Sequence, residues 1–92
     1  MLIPILAVDD DHAVQISLSV MFRKWSDLKL EVAESAEDAL LMLREEKYMM
    51  MLCDVDMPGM DGLELLEHVG HEYPEMPVVM LTGNHDVSTP VR

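Results

Sequence analysis

Cysteine, positive charge and long apolar runs are all scarce in this chain. A single cysteine, Cys53, in 92 residues leaves no internal disulfide to form and fits a reducing compartment. Cys53 lies inside an apolar run and reads as a small buried hydrophobe. Six basic residues stand against 18 acidic ones, for a net charge of -12. Such a chain is repelled by DNA, RNA and anionic membrane surfaces, so neither nucleic acid nor membrane is an expected partner. No apolar run approaches the ~18 residues of a membrane span. The N-terminus lacks the basic n-region of a signal peptide, so a cytoplasmic location is expected. Repeats, linkers and low-complexity segments are also missing, which leaves one domain over residues 1–92.

What is present is an apolar half, enough for a globular core. For a chain of this size, roughly 64% of the unfolded surface is buried on folding. The ten methionines sit mostly in apolar runs, as core filler.

LIPILAV (2–8) is an apolar run ending in Asp9-Asp10-Asp11. Pro4 is tolerable near the start of a strand. From Val14 the spacing becomes helical, with Val14, Leu18, Met21 and Trp25 on one stripe and Asp10 or Asp11 as cap. Leu28, Leu30 and Val32 alternate with Lys29 and Glu31, the pattern of a strand near a sheet edge. Ser35-Ala-Glu-Asp38 resembles a capping box, and Ala36, Ala39, Leu40 and Leu43 follow on one stripe. YMMMLC (48–53) is continuously apolar, as suits a central strand. A third helix opens at Asp61-Gly-Leu-Glu64 with Leu63, Leu66 and Val69 facing inward. PVVML (77–81) is another short buried strand. Strands and helices alternating in this way predict a parallel α/β sheet with right-handed crossovers.

Open parallel sheets bind ligands outside the carboxyl ends of their strands. Three runs here end in polar residues: Val8 into Asp9-Asp10, Cys53 into Asp54, and Leu81 into Thr82. If the strands are neighbours, these residues meet at one edge. Two carboxylates ~4 Å apart repel by ~4 kcal/mol at an effective dielectric near 20. A divalent cation removes that penalty, and Mg2+ accepts one or two carboxylates and a carbonyl while keeping several waters. Asp54 can then offer one oxygen to the metal and use the other as a nucleophile toward a phosphoryl group. Taken singly, each aspartate is a helix cap or turn residue; the joint placement is what points to a site. His68 and His71 lie three apart near a helix end without a third ligand, and read as surface residues.

At these residues the sequence resembles the receiver domains of two-component response regulators. The matching segments are ILAVDDD (5–11), MMLCDVDMPGMDG (50–62) and PVVMLTG (77–83). The resemblance implies a flavodoxin-like, doubly wound parallel sheet of strand order 2-1-3-4. It implies that a histidine kinase or phosphotransfer protein donates a phosphoryl group to Asp54. Asp9 and Asp10 correspond to the acidic pair that organises Mg2+, and Asp56 to the residue lending a backbone carbonyl. Asp56 and Asn84 occupy positions that tune dephosphorylation, Thr82 that of the switch hydroxyl, and Gly83 that of a close backbone approach. The family continues with a fifth strand, bearing a lysine that pairs with the phosphoryl group, and further helices. No lysine of this chain corresponds to it. The expectation is a receiver domain incomplete at its C-terminal side, with Pro77–Leu81 as an exposed edge open to homodimerisation or domain swapping.

Two other readings compete. MLCDVDMP also resembles the opening motif of haloacid-dehalogenase-type phosphatases, with Asp54 as nucleophile and Asp56 as general acid, and PVVMLT resembles their second motif. Pro58 and the early position of Asp9-Asp10 depart from that pattern. A receiver-like module that binds a partner without phosphorylation is the other alternative.

Overall fold

The computed structural model describes residues 2–54 and 62–81. Its order is β1 (Ile3–Val8), α1 (His12–Phe22), β2 (Leu28–Ala33), α2 (Ala36–Glu45), β3 (Met50–Asp54), α3 (Gly62–Glu72) and β4 (Val78–Leu81). The strands form one sheet of order β2-β1-β3-β4, parallel at every pairing. This is the expected flavodoxin-like arrangement, with β1 in the interior and β2 at one side.

Alternation along β1 divides the core. Leu6 and Val8 join Met51, Cys53, Leu65 and Val69 in a cluster under α2 and α3. Ile5, Ala7 and Leu52 form a second cluster, packed by Leu18 and Phe22 of α1. Burying a Leu, Val or Met side chain contributes about 1.5–3 kcal/mol, and Leu6, Met51 and Leu65 are fully buried. Cys53 is buried as expected.

The helices start where their caps dictate. Asp11 accepts a hydrogen bond from the Ala13 N–H (2.8 Å) and so caps α1. Ser35 accepts one from the Asp38 N–H (3.0 Å) and caps α2. Glu37 and Asp38 in the first turn of α2 and Arg44 in its last complement the helix dipole.

Three expectations need correction. The stripe of α1 is Val14, Leu18 and Phe22, while Met21 and Trp25 are exposed. The helix ends at Phe22, and the Trp25 N–H bonds back to the Phe22 carbonyl (3.1 Å), so Trp25 leaves the helical phase. It meets Phe22 edge-to-face instead, with ring centroids 5.7 Å apart. On α3 the buried residues are Gly62, Leu65 and Val69, whereas Leu63 is 56% exposed. An inward face built on Gly62 recurs at positions three and seven further on, which turns Leu63 outward. Finally, β4 is not buried on both faces: Val79 is 44% exposed, because it lies on the α1 side of the sheet while α1 sits over β1 and β2.

A polar clamp closes the opposite end of the sheet. The buried Tyr48 donates its hydroxyl to Glu31, whose other oxygen lies 2.8 Å from Lys29 Nζ, with Glu46 3.6 Å from the same ammonium. The Lys29 and Tyr48 hydrogen bonds hold the Glu31 carboxyl below its ordinary range. Burial first, and then the Glu31 contact, push the Tyr48 hydroxyl well up. Tyr48→Phe is therefore expected to lower stability at pH 7 by about 1 kcal/mol. A group with a depressed folded pKa stabilises above its unfolded value and loses that contribution as pH falls. Urea denaturation should thus show the full gap above ~4.3, shrinking in more acid solution.

Candidate phosphoacceptor site

Three aspartates meet at the carboxyl ends of β1 and β3. Asp54 is the last residue of β3 rather than the first after it, and Leu81 of β4 lies beside it in register. Asp9 and Asp10 follow Val8, which pairs with Cys53. One carboxylate oxygen from each of Asp9, Asp10 and Asp54 lies within 4.8 Å of the other two. Asp9 and Asp54 are buried, and Asp10 is exposed.

The chain holds Asp9 from both sides. Its carboxylate accepts from the Asp11 N–H (2.9 Å), and its carbonyl accepts from the Gln15 side-chain amide (2.7 Å). In the sequence Gln15 does not stand out as a site residue. Its only signal there is a polar side chain one turn after the cap of α1. The Cys53 thiol, at 3.3 Å, donates to the Asp54 carbonyl. Burial pushes the Asp9 carboxyl up; the Asp11 N–H partly offsets this, and the neighbouring charges of Asp10 and Asp11 add to the rise. The cluster is therefore anionic, partly desolvated and self-repelling, with oxygen donors only. Such a set fits a hard divalent cation and suits neither a soft metal nor an anion.

Asp9, Asp10 and Asp54 come together as the sequence predicts. Asp56, Thr82, Gly83 and Asn84 lie outside the described residues. Gly62 opens α3 and is buried.

Comparison with known proteins decides the family. The sequence model of the response regulator receiver domain matches residues 5–92. The chain belongs to the response regulator receiver family. This receiver domain is 36% identical over 89 residues to the transcriptional regulatory protein ZraR of Salmonella typhimurium, covering 97% of this chain and 20% of that protein. It is 41% identical over 86 residues to the two-component response regulator ARR11 of Arabidopsis thaliana, covering 91% and 16% respectively. The chain thus spans about a fifth or less of the curated relatives it matches. Among solved structures, a CheY-like receiver domain from Methanospirillum hungatei superposes with a TM-score of 0.85 at 32% identity, covering 96% of this chain and 70% of that one. The chemotaxis protein CheY4 of Vibrio cholerae gives 0.85 at 26% identity, covering 96% and 74%. No helix among the described residues is long and apolar enough to cross a membrane.

Proposed function

We propose that this receiver domain accepts a phosphoryl group on Asp54 from a histidine kinase or phosphotransfer protein, with Mg2+ held by Asp9, Asp10 and Asp54 and the backbone carbonyl of Asp56. The observation that carries the reading is the approach of three carboxylates from two adjacent strand ends. A carboxylate oxygen of Asp54 attacks phosphorus, the bond from phosphorus to the donor's imidazole nitrogen breaks, and the imidazole regains neutrality. A bound divalent cation supplies charge neutralisation for the phosphoryl oxygens. Asp9 is itself braced for holding that cation by Gln15 and the Asp11 N–H. Thr82 then hydrogen-bonds a phosphoryl oxygen and Gly83 admits the backbone N–H. The new charge biases the segment that follows β4. Asp56 and Asn84 set the rate at which water removes the group. A cytoplasmic site of action belongs to this proposal, and the free thiol of Cys53 is compatible with it.

The metal-dependent part has a direct test in thermal melts. A carboxyl whose folded pKa is raised costs stability when ionised: the cost is full above the raised value and vanishes below the unfolded value of ~3.9. Asp9→Asn should therefore melt a few degrees higher than wild type at pH 7 in chelator, and no higher near pH 3.5. Mg2+ should raise the wild-type melting temperature, and the variant should need at least about tenfold more metal for the same rise. A wild-type melt indifferent to millimolar Mg2+ counts against the proposal.

A further inference from the structure

β2 is an edge strand with no strand on its outer side among the described residues. The ladder settles which backbone groups it presents there. At one end the Ile3 N–H donates to the Asp27 carbonyl (2.7 Å), and at the other the Asp9 N–H donates to the Ala33 carbonyl (3.1 Å). Between them β1 and β2 run in register from Ile3 beside Leu28 to Val8 beside Ala33. In a parallel ladder, alternate residues turn both backbone groups to the same neighbour. Lys29, Glu31 and Ala33 therefore face β1, and Leu30 and Val32 turn their N–H and C=O outward. Leu28 offers only its carbonyl, since its N–H bonds to the Trp25 carbonyl (3.1 Å).

The side chains on this edge are self-complementary. The segment Leu28-Lys29-Leu30-Glu31-Val32 reads as apolar, plus, apolar, minus, apolar. Laid antiparallel on itself about Leu30, it sets Leu30 opposite Leu30, Leu28 opposite Val32, and Lys29 opposite Glu31. In that register the two Leu30 residues exchange both backbone bonds, and each Val32 N–H reaches the Leu28 carbonyl of the other copy. The unlike charges fall at non-hydrogen-bonded positions, where side chains approach closest, with Cα atoms ~4.5 Å apart. Slipping by two residues puts Lys29 against Lys29 or Glu31 against Glu31, so the alternatives are repulsive.

The helix above the edge completes the surface. A shallow groove of about 300 Å³ runs between α1 and β2, lined by Gln15, Ile16, Ser19, Val20, Arg23 and Val32. Ile16 is 64% exposed and Val20 51%. With the two-fold axis perpendicular to the sheet, α1 of both copies lies on the same face, and these apolar ridges flank the seam. We infer that the outer edge of β2, with the Ile16–Val20 ridge of α1, is a self-association surface whose occupant is the same surface of a second copy.

Sedimentation equilibrium on the chain tests this. A short seam of this kind predicts a monomer–dimer equilibrium with Kd between ~1 µM and ~1 mM. Leu30→Pro removes an outward N–H and no bond to β1, a change edge strands tolerate; it should weaken the dimer at least tenfold. Lys29→Glu and Glu31→Lys should each abolish self-association, because like charges then face each other at both positions. An equimolar mixture of these two variants should recover a heterodimer, since every facing pair is again unlike. Ile16→Asp, at an exposed site, keeps the fold and should weaken the dimer too. Circular dichroism confirms that each variant is folded. A wild type that stays monomeric at ~1 mM overturns the inference, as does a dimer indifferent to Leu30→Pro and Ile16→Asp, which would place the contact elsewhere, such as along β4. Two folded charge variants that fail to pair when mixed overturn it as well.

Discussion

Asp54→Asn should reduce Mg2+-dependent phosphate incorporation from a small acyl-phosphate donor to background. The substitution keeps the shape and nearly the volume of the side chain and removes its nucleophilic oxygen. Asp54 itself closes β3, buried and beside Leu81, whereas Asp9 and Asp10 lie in the turn after β1, where the Asp9 carboxylate is held by the Asp11 N–H. The expected loss is total within detection, because no alternative acceptor replaces a missing covalent partner. Intact mass gives the readout, and the added mass should disappear in the variant. Beryllofluoride, a mimic of the attached phosphoryl group, should likewise fail to bind. Incorporation that persists in a folded Asp54→Asn protein would falsify the assignment. Sustained release of phosphate from a small phosphomonoester would point instead to phosphatase chemistry at the same residue, since a receiver is modified once. A folded wild type that takes up no phosphate would favour the phosphorylation-independent module.

The largest loss of stability is expected from Leu65→Ala. Leu65 has no exposed surface and packs in the cluster that joins β1, β3, α2 and α3. Deleting its buried methyl and methine groups removes their transfer free energy and leaves a cavity, for a cost of about 2–5 kcal/mol. Against a total stability of ~5–15 kcal/mol for a whole domain, that is a large share. Leu63→Ala, two residues away on the same helix, should cost less than about 0.5 kcal/mol, because Leu63 projects outward. Chemical denaturation of the pair separates the two faces of α3. Equal losses would mean that Leu63 is covered in the working protein.

That pair also shows where the sequence is legible and where it stops being so. The ends of β1 and β3 are readable because each changes abruptly from an apolar run to acid, and in a parallel sheet neighbouring strands bring such ends to one edge. Hence the meeting of Asp9, Asp10 and Asp54 follows from the pattern. The inward face of a helix is harder to read when leucine occupies both faces: Leu63, Leu65 and Leu66 are chemically alike, and only the folded packing picks the phase that buries Leu65. Met21 and Trp25 are apolar without being covered, which their spacing does not reveal. Val79 reads as buried because valine runs usually are, yet burial depends on which strands α1 spans. Gln15 carries only a faint sequence signal, since its role is a single bond to a carbonyl brought near by folding.

The β1–β3 pairing has a consequence for the order of events in the life of the chain. Ile5 pairs with Met50, and Val8 with Cys53, so the two halves of the acidic cluster come from segments separated by almost half the sequence. Contacts of such long range form late, because the intervening chain must close as a loop first. Under the proposed function, competence to accept a phosphoryl group therefore depends on the β1–β3 pairing being in place. On the proposed function, a nascent or partly denatured copy that carries Asp54 without Asp9 and Asp10 beside it is a poor acceptor. On the same proposal the fold acts as its own quality check on signalling.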